Sequence, residues 1–309
     1  MADPCCPTMP PTGLSPMTLR TAFAALALAL VLPLAGCDET GLATDEASVI
    51  GDAQVARQNG DFETAVRLLE TALAANPQSA AVRTELGVTI LARENLNLLD
   101  LDRISQFIVD GTGAATAMAD APAARGAVCR FASDPTARRF DPTAVEGFPQ
   151  IEASRTAIDS VLAIITPVLP AALRTFDPCT TIAPDGSLVY DRTAVTAQLR
   201  ASGLTNAQIG QLLATNALAR FLSAYLFVTT EVPQQTTWYR LADGSIGVCA
   251  ADEAALLTQT RGAVSTLGTA LTSLDTRARS FGGSSDIVDL ATDAFADIRE
   301  ALGEFCATV

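Results

Sequence analysis

The sequence predicts a mainly α-helical protein: helical hairpins followed by an α-helical bundle, with one or two short β-hairpins. Three observations carry this prediction. Apolar residues recur at three- and four-residue spacing along most of the chain after residue 46, the period of a helix with one buried face. Alanine, the strongest helix former, is abundant, while aromatic residues make up 5% of the 309 residues. Asp185-Gly186 and Asp243-Gly244 each lie between short apolar runs, which is a hairpin signal.

The first element is a targeting segment. Met17-Thr-Leu-Arg20 supplies a basic start, and Thr21 to Leu34 an Ala- and Leu-rich apolar stretch. That stretch is shorter than the roughly 20 apolar residues needed to cross a bilayer. It closes on Leu34-Ala35-Gly36-Cys37. This resembles the lipobox of bacterial lipoproteins. The resemblance implies that residues 1–36 are a signal peptide and that the mature chain carries a lipid on Cys37. Met17 is the expected initiator, in which case Cys5 and Cys6 are absent from the mature protein. Residues 37–45 then form a lipidated tether, polar and acidic after the cysteine. The expected address is a bacterial membrane, outer rather than inner, with the domain in the periplasm or at the cell surface. Asp38, next to the cysteine, resembles an inner-membrane retention signal in enteric bacteria and part of a surface-export signal in some other phyla.

Residues 46–110 come next. Asn59-Gly60-Asp61-Phe62 reads as a turn between two apolar-periodic helices. Ala65, Leu69 and Ala72 follow on the second helix, which Asn76-Pro77 closes. Leu86-Gly87 and Ile90 then repeat the small-residue spacing of the first helix. The pattern resembles a tetratricopeptide repeat, carried here by Gly60, Phe62, Ala65, Ala72, Pro77 and Gly87. An offset of 34 residues aligns Ala53 with Gly87, Ala56 with Ile90, Gly60 with Glu94 and Phe62 with Leu96. The second copy decays after its first helix, because Gly111 stands where a closing proline belongs. The resemblance implies antiparallel helices crossing closely at small residues, and a surface that holds a protein partner. Since a lone repeat cannot bury its apolar face, the rest of the chain must pack on it.

Residues 111–309 read as a disulfide-stapled helical domain. Ile151, Ile158, Val161, Leu162 and Ile165 share one helical face, and Pro167 and Pro170 kink or end that helix. Thr205-Asn-Ala-Gln208 is a capping-box pattern. It opens a helix burying Ile209, Leu212, Leu213, Leu218, Phe221, Leu222, Tyr225 and Leu226. Residues 252–279, with Leu257, Val264, Leu267, Leu271 and Leu274, and residues 286–306 read as a final helix pair. Thr236 to Val248 contains the only Trp, and Trp238, Tyr239 and Arg240 together are the residue types enriched at binding hot spots. They are candidate partner-binding residues.

Beyond Cys37 the mature chain has four cysteines, Cys129, Cys179, Cys249 and Cys306. An even number in an oxidising compartment implies two disulfides, with three possible pairings. If the last two helices fold back antiparallel, Cys249 meets Cys306, leaving Cys129 to Cys179.

Composition narrows function. The net charge is −14, there is no His, and all 20 basic residues are Arg. Nucleic acid is an unsuitable partner for an acidic chain without a basic stripe. Without His there is no Ser-His-Asp or Cys-His pair, and without Lys no Schiff base or phosphate-loop lysine. No metal or cofactor is expected. The leading expectation is a non-enzymatic envelope lipoprotein, a scaffold or accessory subunit binding a protein partner. The alternatives are a small-ligand-binding lipoprotein serving transport and, more remotely, a cell-wall hydrolase using two carboxylates.

Overall fold

Helix α1 (Thr44–Gln58) and helix α2 (Phe62–Ala75) form an antiparallel hairpin. Gly60, at φ +79°, provides the left-handed residue that ends α1, and Asp61 caps α2 by accepting from Thr64 N. A computed structural model describes residues 44–96, 135–140, 149–183, 187–242, 246–250 and 252–281. The lipobox, Cys129, Cys306 and the expected helix over 286–306 lie outside the described residues.

Helix α3 (Ala80–Arg93) starts at Ser79, which caps it by accepting from Val82 N. It ends as α1 ends. Asp61 N bonds Ala56 O at 2.9 Å, and Leu96 N bonds Leu91 O at 2.9 Å; Gly60 N and Asn95 N close the inner ring onto Arg57 O and Ala92 O. Asn95 takes the left-handed conformation, φ +56°, that Gly60 takes in α1. The two helix ends are therefore equivalent at an offset of 35 residues, one more than the apolar spacing of the sequence predicts.

The hairpin sits on the rest of the protein through α3. Most of α3 is buried, packed by α2 on one side and by α5 (Arg155–Ile165) and α8 (Asn206–Leu226) on the other. Gly87 is the close crossing: a Cβ there would stand 3.0 Å from Ile165 and 3.3 Å from Thr215. Arg83 completes the joint. Its guanidinium donates to Pro77 O at 2.8 and 3.0 Å and to Ile164 O at 2.6 Å, satisfying a carbonyl at the end of α5.

A short helix α4 (Pro149–Ala153) precedes α5, and two 3₁₀ turns, Thr166–Val168 and Ala171–Leu173, follow it where Pro167 and Pro170 interrupt the chain. The one-turn helix α6 (Pro178–Thr181) leads to an Ile182↔Leu188 bridge, the narrow remnant of the first predicted hairpin. Helix α7 (Arg192–Ala201) is capped by Asp191.

Helix α8 opens with both bonds of the predicted capping box, Gln208 N to Thr205 Oγ1 and Thr205 N to Gln208 Oε1. It is the central helix, buried without interruption from Leu212 to Phe221 and on through Leu222. Asn206–Gln235 has the length and composition to cross a membrane, yet 88% of its apolar window is buried inside the protein, as in the core helix of a globular domain. A π-helical turn (Phe227–Glu231) and α9 (Val232–Gln235) follow. In that turn Val232 N reaches Phe227 O, and the Thr229 and Thr230 hydroxyls bond Tyr225 O and Leu226 O.

The second predicted hairpin is present as β2 (Thr236–Arg240) and β3 (Ile246–Ala250). Strand β1 (Arg138–Phe140) pairs antiparallel with β2, giving the order β1-β2-β3. Helix α10 (Glu253–Phe281) packs along α8 and buries Val264, Leu267, Leu271 and Leu274 as predicted. One continuous apolar core runs from Ile50 in α1 to Leu274 in α10. The chain is thus mainly α with a small antiparallel sheet.

Candidate functional site

The predicted repeat residues gather at the α1–α2–α3 joint. Ala65 is fully buried; Phe62 and Ala72 are partly covered; Gly60 and Pro77 are exposed in their turns. Gly87 belongs to the same array in sequence, but what it meets is α5 and α8. Between α1 and α3 lies a charged pair: Arg57 contacts the Glu85 carboxylate at 2.8 Å, and Gln54 donates to its other oxygen at 3.1 Å. Glu85 is 3% exposed, so this carboxylate fixes α1 on α3 and is not open to a ligand. The outward stripe of α1 carries Asp45, Ser48, Asp52 and Val55, and Val55 is 56% exposed.

Trp238, Tyr239 and Arg240 are successive residues of β2, so Trp238 and Arg240 share one face of the sheet and Tyr239 the other. Trp238 is half-buried, and its indole N–H donates to Thr236 Oγ1 at 2.7 Å on the same face. Strand β1, which the sequence did not signal, adds two cations. Arg138 stands directly opposite Arg240, and Arg139 opposite Tyr239. Arg138 and Arg139 are both exposed. Arg138 and Arg240 therefore place two guanidinium-bearing side chains next to each other on one face, within about 5 Å at their Cβ atoms.

Two polar clusters lie in the bundle, one centred on the buried Asp275 and the other on the buried Arg220. Asp275 of α10 accepts from Tyr190 at 2.5 Å and pairs with Arg192 at 3.2 Å and Arg279 at 2.6 Å. Burial, and then the bond to Asp275, push the Tyr190 hydroxyl up to about 12, so it stays protonated and donates at neutral pH. The cluster clamps the segment before α7 onto α10. In the second cluster Arg220, 9% exposed, donates to Asn216 Oδ1 at 2.9 Å and to the carbonyls of Leu173 and Arg174 at 3.5 Å. Asn216 in turn donates to Ser273 at 2.7 Å. Arg220 thus caps the 3₁₀ turn, and burial holds its guanidinium below the usual range. No carboxylate faces it among the described residues.

Cys179 and Cys249 are both disulfide-bonded. Cys129 and Cys306, the partners expected for them, lie outside the described residues, as does Cys37.

Comparison with known proteins gives no relative: no family model matches the chain, and neither a curated protein nor a solved structure does.

Proposed function

We propose that this is a non-enzymatic, lipid-anchored cell-envelope protein, a scaffold or accessory subunit that holds a protein partner on its helical hairpin. Leu34-Ala-Gly-Cys37 behind a basic start and an apolar run supports the anchor. The observation that carries the partner-binding part is the α1–α2 hairpin. It is seated on the bundle through α3, and its exposed α1 stripe includes Val55, one of the two large apolar side chains exposed among the described residues. Only six residues lie between Cys37 and the start of α1 at Thr44, about 25 Å of fully extended chain, so the anchor holds this stripe close to the bilayer. A partner in the same envelope is then met at high effective concentration.

The anchor is tested by fractionating cells that carry Cys37→Ala. The variant is expected in the soluble fraction; partition with membranes, as for the parent, would remove the anchor from the reading. The partner surface is tested with Val55→Asp, which is expected to leave the fold intact and to weaken partner capture.

The small-ligand alternative has one observation in its favour. Arg220 is a buried cation whose hydrogen-bond acceptors are all neutral. An anionic ligand there would raise the melting temperature of the parent and not of Arg220→Met.

A further inference from the structure

We propose that the outer edge of β1 takes up an extended, carboxylate-rich segment of a protein partner, added antiparallel or parallel as a further strand of the β1-β2-β3 sheet. This deepens the partner-binding reading by naming the chemistry of one surface the partner would use. Three observations converge on it. First, β1 is an edge strand among the described residues, so one side of its backbone faces away from β2. Second, in a chain of net charge −14 this short strand begins with two consecutive arginines, both exposed, and neither has a carboxylate partner among the described residues. Third, the register sets Arg138 directly against Arg240. A carboxylate on the added strand would lie beside Arg138, on a face that carries a second guanidinium-bearing side chain.

The alternation of a strand selects the occupant. Arg138 and Arg139 are adjacent, so they stand on opposite faces of the sheet. A flat anionic bilayer meets one face only, and the net charge of the whole chain opposes its approach. An added strand also alternates, so two consecutive acidic residues on it reach Arg138 on one face and Arg139 on the other. A second copy of the chain is disfavoured, because pairing β1 with β1 sets arginine against arginine. Trp238 lies on the face of Arg138 and Arg240, two positions along β2, where it offers apolar area beside the charges.

The test uses the detergent-solubilised full chain and a fluorescein-labelled peptide, Thr-Val-Glu-Glu-Val-Thr, followed by fluorescence anisotropy at low and at physiological salt. Its Gln-Gln counterpart and an N-methylated version are the controls. The Glu peptide is expected to bind roughly tenfold tighter than the Gln peptide, the effect of two cross-strand charge pairs. Arg138→Gln/Arg139→Gln is expected to remove that preference while keeping the melting temperature of the parent. N-methylation, which deletes backbone donors but no charge, is expected to abolish binding. Equal affinity for the Glu and Gln peptides overturns the proposal even if the arginine variant fails to fold. Undiminished binding of the N-methylated peptide overturns the strand addition. Binding of phosphatidylglycerol vesicles through the same arginines, with no peptide binding, assigns the patch to a membrane and overturns the proposal as well. None of these results bears on Cys37 or Val55, so failure here and failure of the anchored-scaffold reading are distinguishable.

Discussion

Two glycines of α10 should respond to the same substitution with opposite sign. A Cβ added at Gly268 would stand 2.1 Å from Cδ1 of Phe176 and 2.4 Å from its Cγ. Ordinary carbon contacts begin near 3.5 Å, so the ring would have to retreat by about 1.4 Å. It has little room to do so: Phe176 is buried, and its backbone N–H is tied to Ser265 Oγ at 3.3 Å, one turn before Gly268. Forcing a methyl into such a seat costs about 1–3 kcal/mol, and complete ejection of the phenyl ring about 3–5 kcal/mol. Against this, replacing Gly by Ala inside a helix gains about 1 kcal/mol. Gly268→Ala is therefore expected to lose about 2 kcal/mol net. At Gly262, on the same helix, a Cβ meets nothing within 4 Å, and the residue is exposed. Gly262→Ala is expected to gain up to about 1 kcal/mol. Urea unfolding followed by far-ultraviolet circular dichroism, under non-reducing conditions, measures both against the parent. The two midpoints should fall on opposite sides of the parent's. Phe176→Ala combined with Gly268→Ala should cost less than the sum of the two, by about 1 kcal/mol or more. If Gly268→Ala is as stable as Gly262→Ala, the packing of α10 against Phe176 is wrong.

Asp275→Asn should cost about 2 kcal/mol, well below a fully buried pair because Arg192 and Arg279 are partly in water; thermal melting checks it. Tyr190, pushed from 10 to about 12, is held protonated in the folded state, so its contribution is whole below about pH 10 and is lost as the pH climbs toward 12. Tyr190→Phe should flatten that part of the stability profile, and an unchanged alkaline slope would contradict it. Glu85→Ala removes the buried partner of Arg57 and Gln54, at about 1–3 kcal/mol. Hydrogen exchange should then speed up in α1 while α8 stays protected; equal acceleration in both would refute α3 as a local joint.

Local chemistry was the legible part of this sequence. The capping box at Thr205, the Asp-Gly hairpin at residues 236–250 and the turn at Gly60 each depend on residues within a few positions of one another, and each is present. Features made by distant segments were not legible. Strand β1 is three residues, Arg-Arg-Phe, with no alternation to mark it, and it exists because β2 is there to pair with. Helix α8 reads as one-sided in sequence because Thr215, Asn216 and Arg220 interrupt its apolar pattern. Those polar side chains are buried all the same, where Ser273 and the carbonyls of Leu173 and Arg174 satisfy Asn216 and Arg220. Asp275 looks like a solvent-facing residue of α10 until Tyr190 and Arg192, more than 80 positions away, are folded against it. The 34-residue offset was one residue short because apolar spacing marks the buried face of a helix, not its end, and the ends at Gly60 and Asn95 are set by backbone conformation. Among the partner-binding candidates, Trp238 and Arg240 could be named from composition, whereas the cation opposite Arg240 depended on the register.

The most direct test of an anchored scaffold is photo-crosslinking in intact cells, with a photoreactive residue at Val55 and a second probe position at Arg139. A scaffold that holds a partner on the α1 stripe predicts one dominant envelope-protein adduct from Val55, lost when Cys37→Ala releases the chain from the membrane. The added strand at β1 predicts that the probe at Arg139 reacts with an acidic segment of that same protein. Uncross-linked chain from both positions, at full expression and with Cys37 lipidated, would contradict the scaffold reading.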